Sequence, residues 1–233
     1  MRALSRIGLL LPSSNTTMEP DFVMMAPKGV TVHSARMLLE DVTPESLERM
    51  AGEAEQAARL LSTADVDLMV YGCTSGSLIR GVEWEASLVN RIEAASGTQT
   101  VTTAGAVVEA LRTLEARNIR VFTPYTDAVN RLEKTFLEAQ GFHVDSIVGL
   151  GLVDNLKIGR VTPVEIERLV DPRPAADCLF ISCTNLPAVF LIQTLEERHQ
   201  KPVVTSNQAS MWATLRRLGK PGVEGYGALL RDV

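Results

Sequence analysis

The chain has 233 residues, 45% of them hydrophobic, and a formal net charge of -5 from 28 acidic and 23 basic side chains. That is enough apolar chain to bury a core without disulfides or a structural metal. Charges are spread without blocks and aromatics make up only 5%, which argues against a nucleic-acid or membrane surface and leaves small molecules as the expected partners. The apolar part of the first fifteen residues is too short to span a bilayer and no small-residue cleavage pattern follows it. Residues 7–11 therefore read as a strand, and the protein as cytoplasmic.

In chain order, short β-branched runs alternate with longer helical patterns. The spacing predicts strands at 6–12 (RIGLLLP), 30–35 (VTVHSA), 67–72 (DLMVYG) and 99–103 (QTVTT), then at 119–124 (IRVFTP), 143–148 (HVDSIV), 178–183 (CLFISC) and 202–206 (PVVTS). Between them a helix opens at Met18, and one helix is expected over 44–61, with Thr43 as N-cap and Leu47, Met50, Ala54, Ala57, Ala58 and Leu61 on one face. Further helices are expected over 104–114, 126–139 and 207–218. Such alternation predicts parallel sheets covered by helices.

The two halves follow one plan. Pro12 falls against Pro124, Cys73 against Cys183 and Thr102 against Thr205, in the same order along the chain. We read this as an internal duplication, giving an α/β fold of two pseudo-symmetric doubly wound lobes, residues 1–115 and 116–233, with the C-terminal part of the first possibly crossing over. Ligands of open α/β sheets lie outside the carboxyl ends of the strands, so the polar exits at 12–15, 72–77, 124–127 and 182–185 should meet in one cleft. Cys73 and Cys183 would then face each other across a ligand.

Both Cys-Thr pairs are expected where a strand hands over to a helix, which would lower the thiol pKa and suit either thiol to act as nucleophile or base. The third cysteine, Cys178, lies within a strand and reads as a small buried hydrophobe. Neither a disulfide framework nor a metal site is indicated, and His33, His143 and His199 fall away from the strand exits. The chain lacks GxGxxG after the first strand, GxxxxGK[ST] and GxSxG, so the chemistry is expected to need no cofactor. Ser13, Ser14, Asn15, Thr16 and Thr17 form a donor run that serves either to cap a helix or to bind a carboxylate. Tyr125 adds a phenol at the equivalent exit of the second half.

The segments LLLPSSNTTMEPDF, YGCTSGS, TPYTDAVN, GLGLVDNLKIGR and SCTNLPA together resemble the maleate cis-trans isomerase family, within the wider aspartate/glutamate racemase group that also holds arylmalonate decarboxylase. The likeness covers essentially the whole chain. It implies an Asp/Glu racemase-like fold and a cytoplasmic homodimer acting on a small dicarboxylate, with Cys73 as nucleophile and Cys183 as its acid/base partner. It also implies that Asn15, Tyr125 and Asn155 hold the carboxylates, with Pro12, Thr74, Ser75 and Thr184 completing the substrate site. Asn155 enters through the resemblance; its local sequence alone reads as a turn or cap. A racemase would use the same thiols to exchange an α-proton, and an arylmalonate decarboxylase is expected to lack the first thiol. A non-catalytic dicarboxylate-binding protein is the reading from another class.

Overall fold

The computed structural model describes residues 4–171 and 176–233. The first lobe runs β1 (Ser5–Pro12), α1 (Met18–Met25), β2 (Val30–Met37), α2 (Pro44–Ala51), α3 (Ala54–Ser62), β3 (Leu68–Tyr71), α4 (Thr74–Leu78), α5 (Val82–Ser96), β4 (Thr100–Thr102) and α6 (Thr103–Thr113). The second runs β5 (Asn118–Thr123), α7 (Asp127–Ala139), β6 (His143–Gly149), α8 (Asn155–Ile158), α9 (Pro163–Leu169), β7 (Cys178–Ile181), a 3-10 turn (Val189–Leu191), α10 (Ile192–His199), β8 (Val203–Thr205), α11 (Ser206–Arg217) and α12 (Gly227–Arg231).

Each lobe holds a four-stranded sheet, ordered β2-β1-β3-β4 in one and β6-β5-β7-β8 in the other, and every strand pair is parallel. The matching order is what the duplicated sequence requires. Strand β3 (LMVY) and strand β7 (CLFI) are buried along their whole length, because helices cover both faces of a parallel sheet and leave no polar side. Edge strand β2 is only half-buried over most of its length, which is why VTVHSA carries polar residues between its apolar ones.

The lobes join through α6 and α11, whose facing residues are mostly small. The Ser210 hydroxyl donates to Thr103 Oγ1 at 3.2 Å, and Thr103 in turn donates to the Tyr71 carbonyl at 3.1 Å. Trp212 on α11 is fully buried, and the Arg216 guanidinium lies 4.7 Å from its ring centroid, a contact that covers the indole and adds a cation–π attraction.

One expected element divides. Residues 44–61 form two helices, because the backbone turns at Gly52 and Glu53, where the Gly52 N–H bonds the Arg49 and Glu48 carbonyls. The Glu53 carboxylate is then free to accept from the Leu38 N–H at 2.9 Å. Leu47, Met50, Ala54, Ala57, Ala58 and Leu61 nevertheless all face the core, so the apolar spacing continues across the break.

Candidate active site

The exits of β1, β3, β5 and β7 converge between the lobes. At β1, buried Pro12 ends the strand, and its carbonyl accepts from the Asn15 N–H at 3.0 Å. Asn15 caps α1 with its side-chain oxygen, which accepts from the Thr17 and Met18 N–H groups at 3.0 Å each. Its amide then reaches across the interface to Thr184 Oγ1 at 3.0 Å. A single residue thus fills the capping role and leaves a donor in the cleft. Ser13 and Ser14 bond the loop after β2 through the Leu39 carbonyl, and the Asn155 amide donates to Ser14 Oγ at 2.8 Å.

At β3, Cys73 adopts an extended conformation as N-cap of α4, and its sulfur accepts from the Gly76 N–H at 3.3 Å. Ser75 Oγ stands 3.8 Å from the same sulfur. Gly72 has to be glycine: a Cβ there would lie 2.6 Å from Met18 Sδ and 2.7 Å from a Leu11 methyl.

At β7, Cys183 departs from expectation. No helix follows it directly; residues 184–188 form turns before the Val189–Leu191 3-10 segment. Cys183 itself has φ +107, a left-handed region that costs a non-glycine residue roughly 1–3 kcal/mol and is typically kept where function requires it. Its thiol accepts from the Asn185 N–H at 3.4 Å.

Ser206, at the β8 exit, ties the two thiol loops together. Its hydroxyl accepts from the Cys183 N–H at 3.0 Å and from the Thr74 hydroxyl at 2.9 Å. In the reciprocal contact, Thr184 donates to the Gly72 carbonyl at 3.1 Å. Asn185 extends this net: its side-chain oxygen accepts from the Thr16 N–H at 2.9 Å and its amide donates to the Asn155 carbonyl at 2.6 Å. Asn207 donates to the Thr184 carbonyl at 3.0 Å and to the Asp21 carboxyl at 2.6 Å. Reading the sequence missed Ser206, Asn185 and Asn207 as site residues. The signal present was the Thr102/Thr205 match, which marks the β8 exit as a fifth loop of the cleft.

The structure thus brings Cys73, Cys183, Pro12, Asn15, Thr74, Ser75, Tyr125, Asn155 and Thr184 together, all of them buried. Beside Asn155, the loop after β2 and the loop after β6 pair through a backbone bridge at Asp41 and Asp154. The Val42 N–H bonds the Val153 carbonyl at 2.8 Å and the Asn155 N–H bonds the Glu40 carbonyl at 3.0 Å. Arg160 is exposed, and Arg36 donates to the Ser13 and Asn15 carbonyls and pairs with the Glu19 carboxylate. The side-chain donors gathered at these strand exits are neutral amides and hydroxyls.

A family model described as arylmalonate decarboxylase matches residues 7–230. A maleate isomerase of Pseudomonas putida is 32% identical, over 99% of this chain and 98% of its own length. The chain belongs to the family of the maleate isomerases and arylmalonate decarboxylase. Among solved members, the maleate isomerase of Pseudomonas putida S16, as a Cys-to-Ala variant with maleate, superposes with a TM-score of 0.94 at 30% identity, covering 99% of this chain and 98% of that one. A Cys-to-Ser mutant of the Nocardia farcinica maleate cis-trans isomerase, described as carrying a covalently bound succinylcysteine intermediate, superposes with a TM-score of 0.94 at 27% identity, covering 99% of this chain and all of that one.

The electrostatics of this family member correct one expectation. Neither thiol is acidified: burial pushes Cys73 up to about 11, against the opposing pull of the Gly76 N–H and Ser75. Burial likewise pushes Cys183 up to about 12, with the Tyr125 hydroxyl and the Asn185 N–H pulling down and the Cys73 and Glu133 charges pushing up. Desolvation of a thiolate outweighs one or two N–H groups when no water reaches the site. Cys178 is fully buried in β7, as expected, and is pushed up to about 12 by burial first and then by the Glu196 and Asp177 charges. Two acids were also missed. Burial raises Glu133 on α7, behind Tyr125 and Cys183, to about 7, and raises Asp21 on α1 to about 7 against its bond from Asn207. Among the described residues no group of three or more His, Cys, Asp or Glu is arranged to hold a metal, and no helix is long and apolar enough to cross a membrane.

Proposed function

We propose that this protein isomerises maleate to fumarate without a cofactor, using Cys73 as nucleophile and Cys183 as acid and base. The observation that carries the reading is the pair of buried thiols on equivalent strand exits, whose loops are tied together by the Ser206 hydroxyl through the Cys183 N–H and the Thr74 hydroxyl. The named activity of the relatives supports it.

The double bond must become single before the carboxylates can pass from cis to trans. The Cys73 thiolate adds to one alkene carbon, forming a C–S bond while the π electrons move to the neighbouring carbon and its carboxylate. Cys183 gives that carbon its proton and becomes the thiolate, leaving a succinyl thioether on Cys73. After rotation about the central bond, Cys183 removes a proton, the double bond re-forms and the Cys73 thiolate leaves. Atoms balance and no net redox change occurs.

The negative charge that develops on one carboxylate in the addition step requires donors already in place. Asn15, Thr74, Thr184, Tyr125 and Asn155 fill that role, with Pro12 and Ser75 shaping the walls around them. Several of these donors already have partners, Asn15 on Thr184, Thr74 on Ser206, Asn155 on Ser14 and Thr184 on the Gly72 carbonyl, so a carboxylate exchanges into an existing net and few buried groups need desolvation anew. We further read the protein as a cytoplasmic homodimer whose lobes divide at 1–115 and 116–233. Sedimentation tests the dimer.

The function is tested by incubating the protein with maleate and no added cofactor, following fumarate by proton NMR. Fumarate from the wild type, lost in Cys73→Ser and Cys183→Ser, supports the reading. Deuterium entering aspartate or glutamate from solvent, without fumarate, replaces it with a racemase.

A further inference from the structure

The mechanism above gives Tyr71 no part, yet packing alone explains its place poorly. Tyr71 ends β3 two residues before Cys73 and is fully buried, and its hydroxyl has no hydrogen-bond partner among the described residues. A phenylalanine would fill the same space without burying an unpaired hydroxyl, which costs stability. The sequence therefore keeps a polar atom where the resting fold has no use for it.

The geometry indicates the use. Cys73 is extended, at φ -146 and ψ 112, and side chains two residues apart on extended chain leave it on the same side. The two groups meet beside Gly76: a Cβ built on that glycine would lie 2.9 Å from the Tyr71 hydroxyl and 3.1 Å from the Cys73 sulfur. Having no side chain, Gly76 leaves a gap between phenol and thiol that the Met50 methyl also borders, 2.9 Å from the same point, and it aims its own N–H at the same sulfur. The second lobe offers a parallel, since the Tyr125 hydroxyl stabilises the Cys183 thiolate.

Taking Cys73 as the nucleophile from the reading above, we infer that Tyr71 is a positioning residue for it, donating a hydrogen bond from its hydroxyl to the Cys73 thiolate across the gap that Gly76 leaves. The proton stays on the phenol oxygen, whose ionisation burial holds well above the ordinary tyrosine range. The titratable and charged groups around the pair are Arg91 on α5, paired with Glu55 on α3, and across the interface Cys183 and Tyr125 with Glu133 behind them. The Cys73 charge raises the phenol pKa and the Arg91 charge lowers it.

The test is the pH dependence of iodoacetamide alkylation at Cys73, read by peptide mass spectrometry on the full chain without substrate, in the wild type and in Tyr71→Phe. The expected result is a Tyr71→Phe protein at least as heat-stable as the wild type, with Cys73 alkylation about tenfold slower at a given pH and its midpoint about one pH unit higher. The Cys183 profile should stay in place. An unchanged Cys73 profile overturns the inference. Because a buried substitution can disturb folding, 3-fluorotyrosine placed at position 71 gives an independent reading: the more acidic phenol is a stronger donor, so the Cys73 midpoint should fall, and an unmoved midpoint again overturns it. A shifted titration in a protein that makes no fumarate would remove the proposed function and keep this inference; fumarate production with unmoved titrations would do the reverse.

Discussion

The loops after β3 and β7 carry the same Cys-Thr pair on equivalent strands, yet their backbones differ. Cys73 is extended and opens a short helix whose Gly76 N–H faces its sulfur. Cys183 sits at φ +107 in a turn, where the charges of Cys73 and Glu133 both oppose its ionisation. Duplication supplied two equal thiols, and local structure made them unequal. Each sulfur accepts from one backbone N–H, but around the second the charges of Cys73 and Glu133 work against the help of Tyr125, and burial leaves it at about 12 against about 11 for the first, which suits the first to be the nucleophile and the second to hold its proton as the acid.

The strongest way to break that comparison is to remove each thiol. Cys73→Ser should lose about 10^4-fold or more in kcat, since no bond to the alkene forms, and Cys183→Ser about 10^2- to 10^4-fold, the usual range for a general acid. Equal, small losses in steady-state kinetics would erase the division of labour. Next in size, the acids buried near the site should govern stability against pH. Burial raises the folded pKa values of Glu133 and Asp21 to about 7 from the ordinary carboxyl values of 4.5 and 3.8. Their contribution is therefore fully present below about pH 4 and is lost as pH rises through about 7, on the order of 3 to 4 kcal/mol each. Urea titrations of Glu133→Gln and Asp21→Asn across that window should show flatter profiles than the wild type; parallel profiles would remove the effect.

The backbone contrast gives smaller effects. At position 183 the Gly variant should be more stable than the Ala variant by about 1 kcal/mol, because only glycine relieves the positive φ, while at position 73 the order should reverse. Ser206→Ala leaves the Cys183 N–H and the Thr74 hydroxyl without their partner and should cost about 1–3 kcal/mol in denaturant unfolding. Last, kcat/KM for maleate should rise with pH from neutral into the mildly alkaline range. Burial pushes Cys73 up to about 11, so the reactive thiolate grows with pH while Cys183, pushed up to about 12, keeps its proton. A flat profile over that range would contradict the thiol order.

Much of this was legible in the sequence because the fold repeats. Each of the eight apolar runs is a strand, and the matched positions of Cys73 and Cys183 mark the strand exits that converge between the lobes. The split at Gly52 was hidden because the core-facing spacing from Leu47 to Leu61 survives it. The turn after Cys183 had a visible cause that was passed over: Pro187 disfavours helical geometry at Leu186. For Ser206, Asn185 and Asn207 the sequence marks the loop but not the role. Their meaning comes from contacts such as Thr74–Ser206, 132 residues apart in the chain, and no local pattern encodes those. The thiol pKa values were misjudged because a strand exit in sequence looks solvated, whereas here the opposite lobe covers it.

The most direct test of the two-thiol account is mass spectrometry of Cys183→Ser after exposure to maleate, with peptides mapped for a covalent adduct. The account predicts a succinyl group on Cys73, accumulating because the base that would release it is gone, and no adduct in Cys73→Ser. An adduct on position 183 in Cys73→Ser, or none on Cys73 in a Cys183→Ser protein that still turns over maleate, would contradict it.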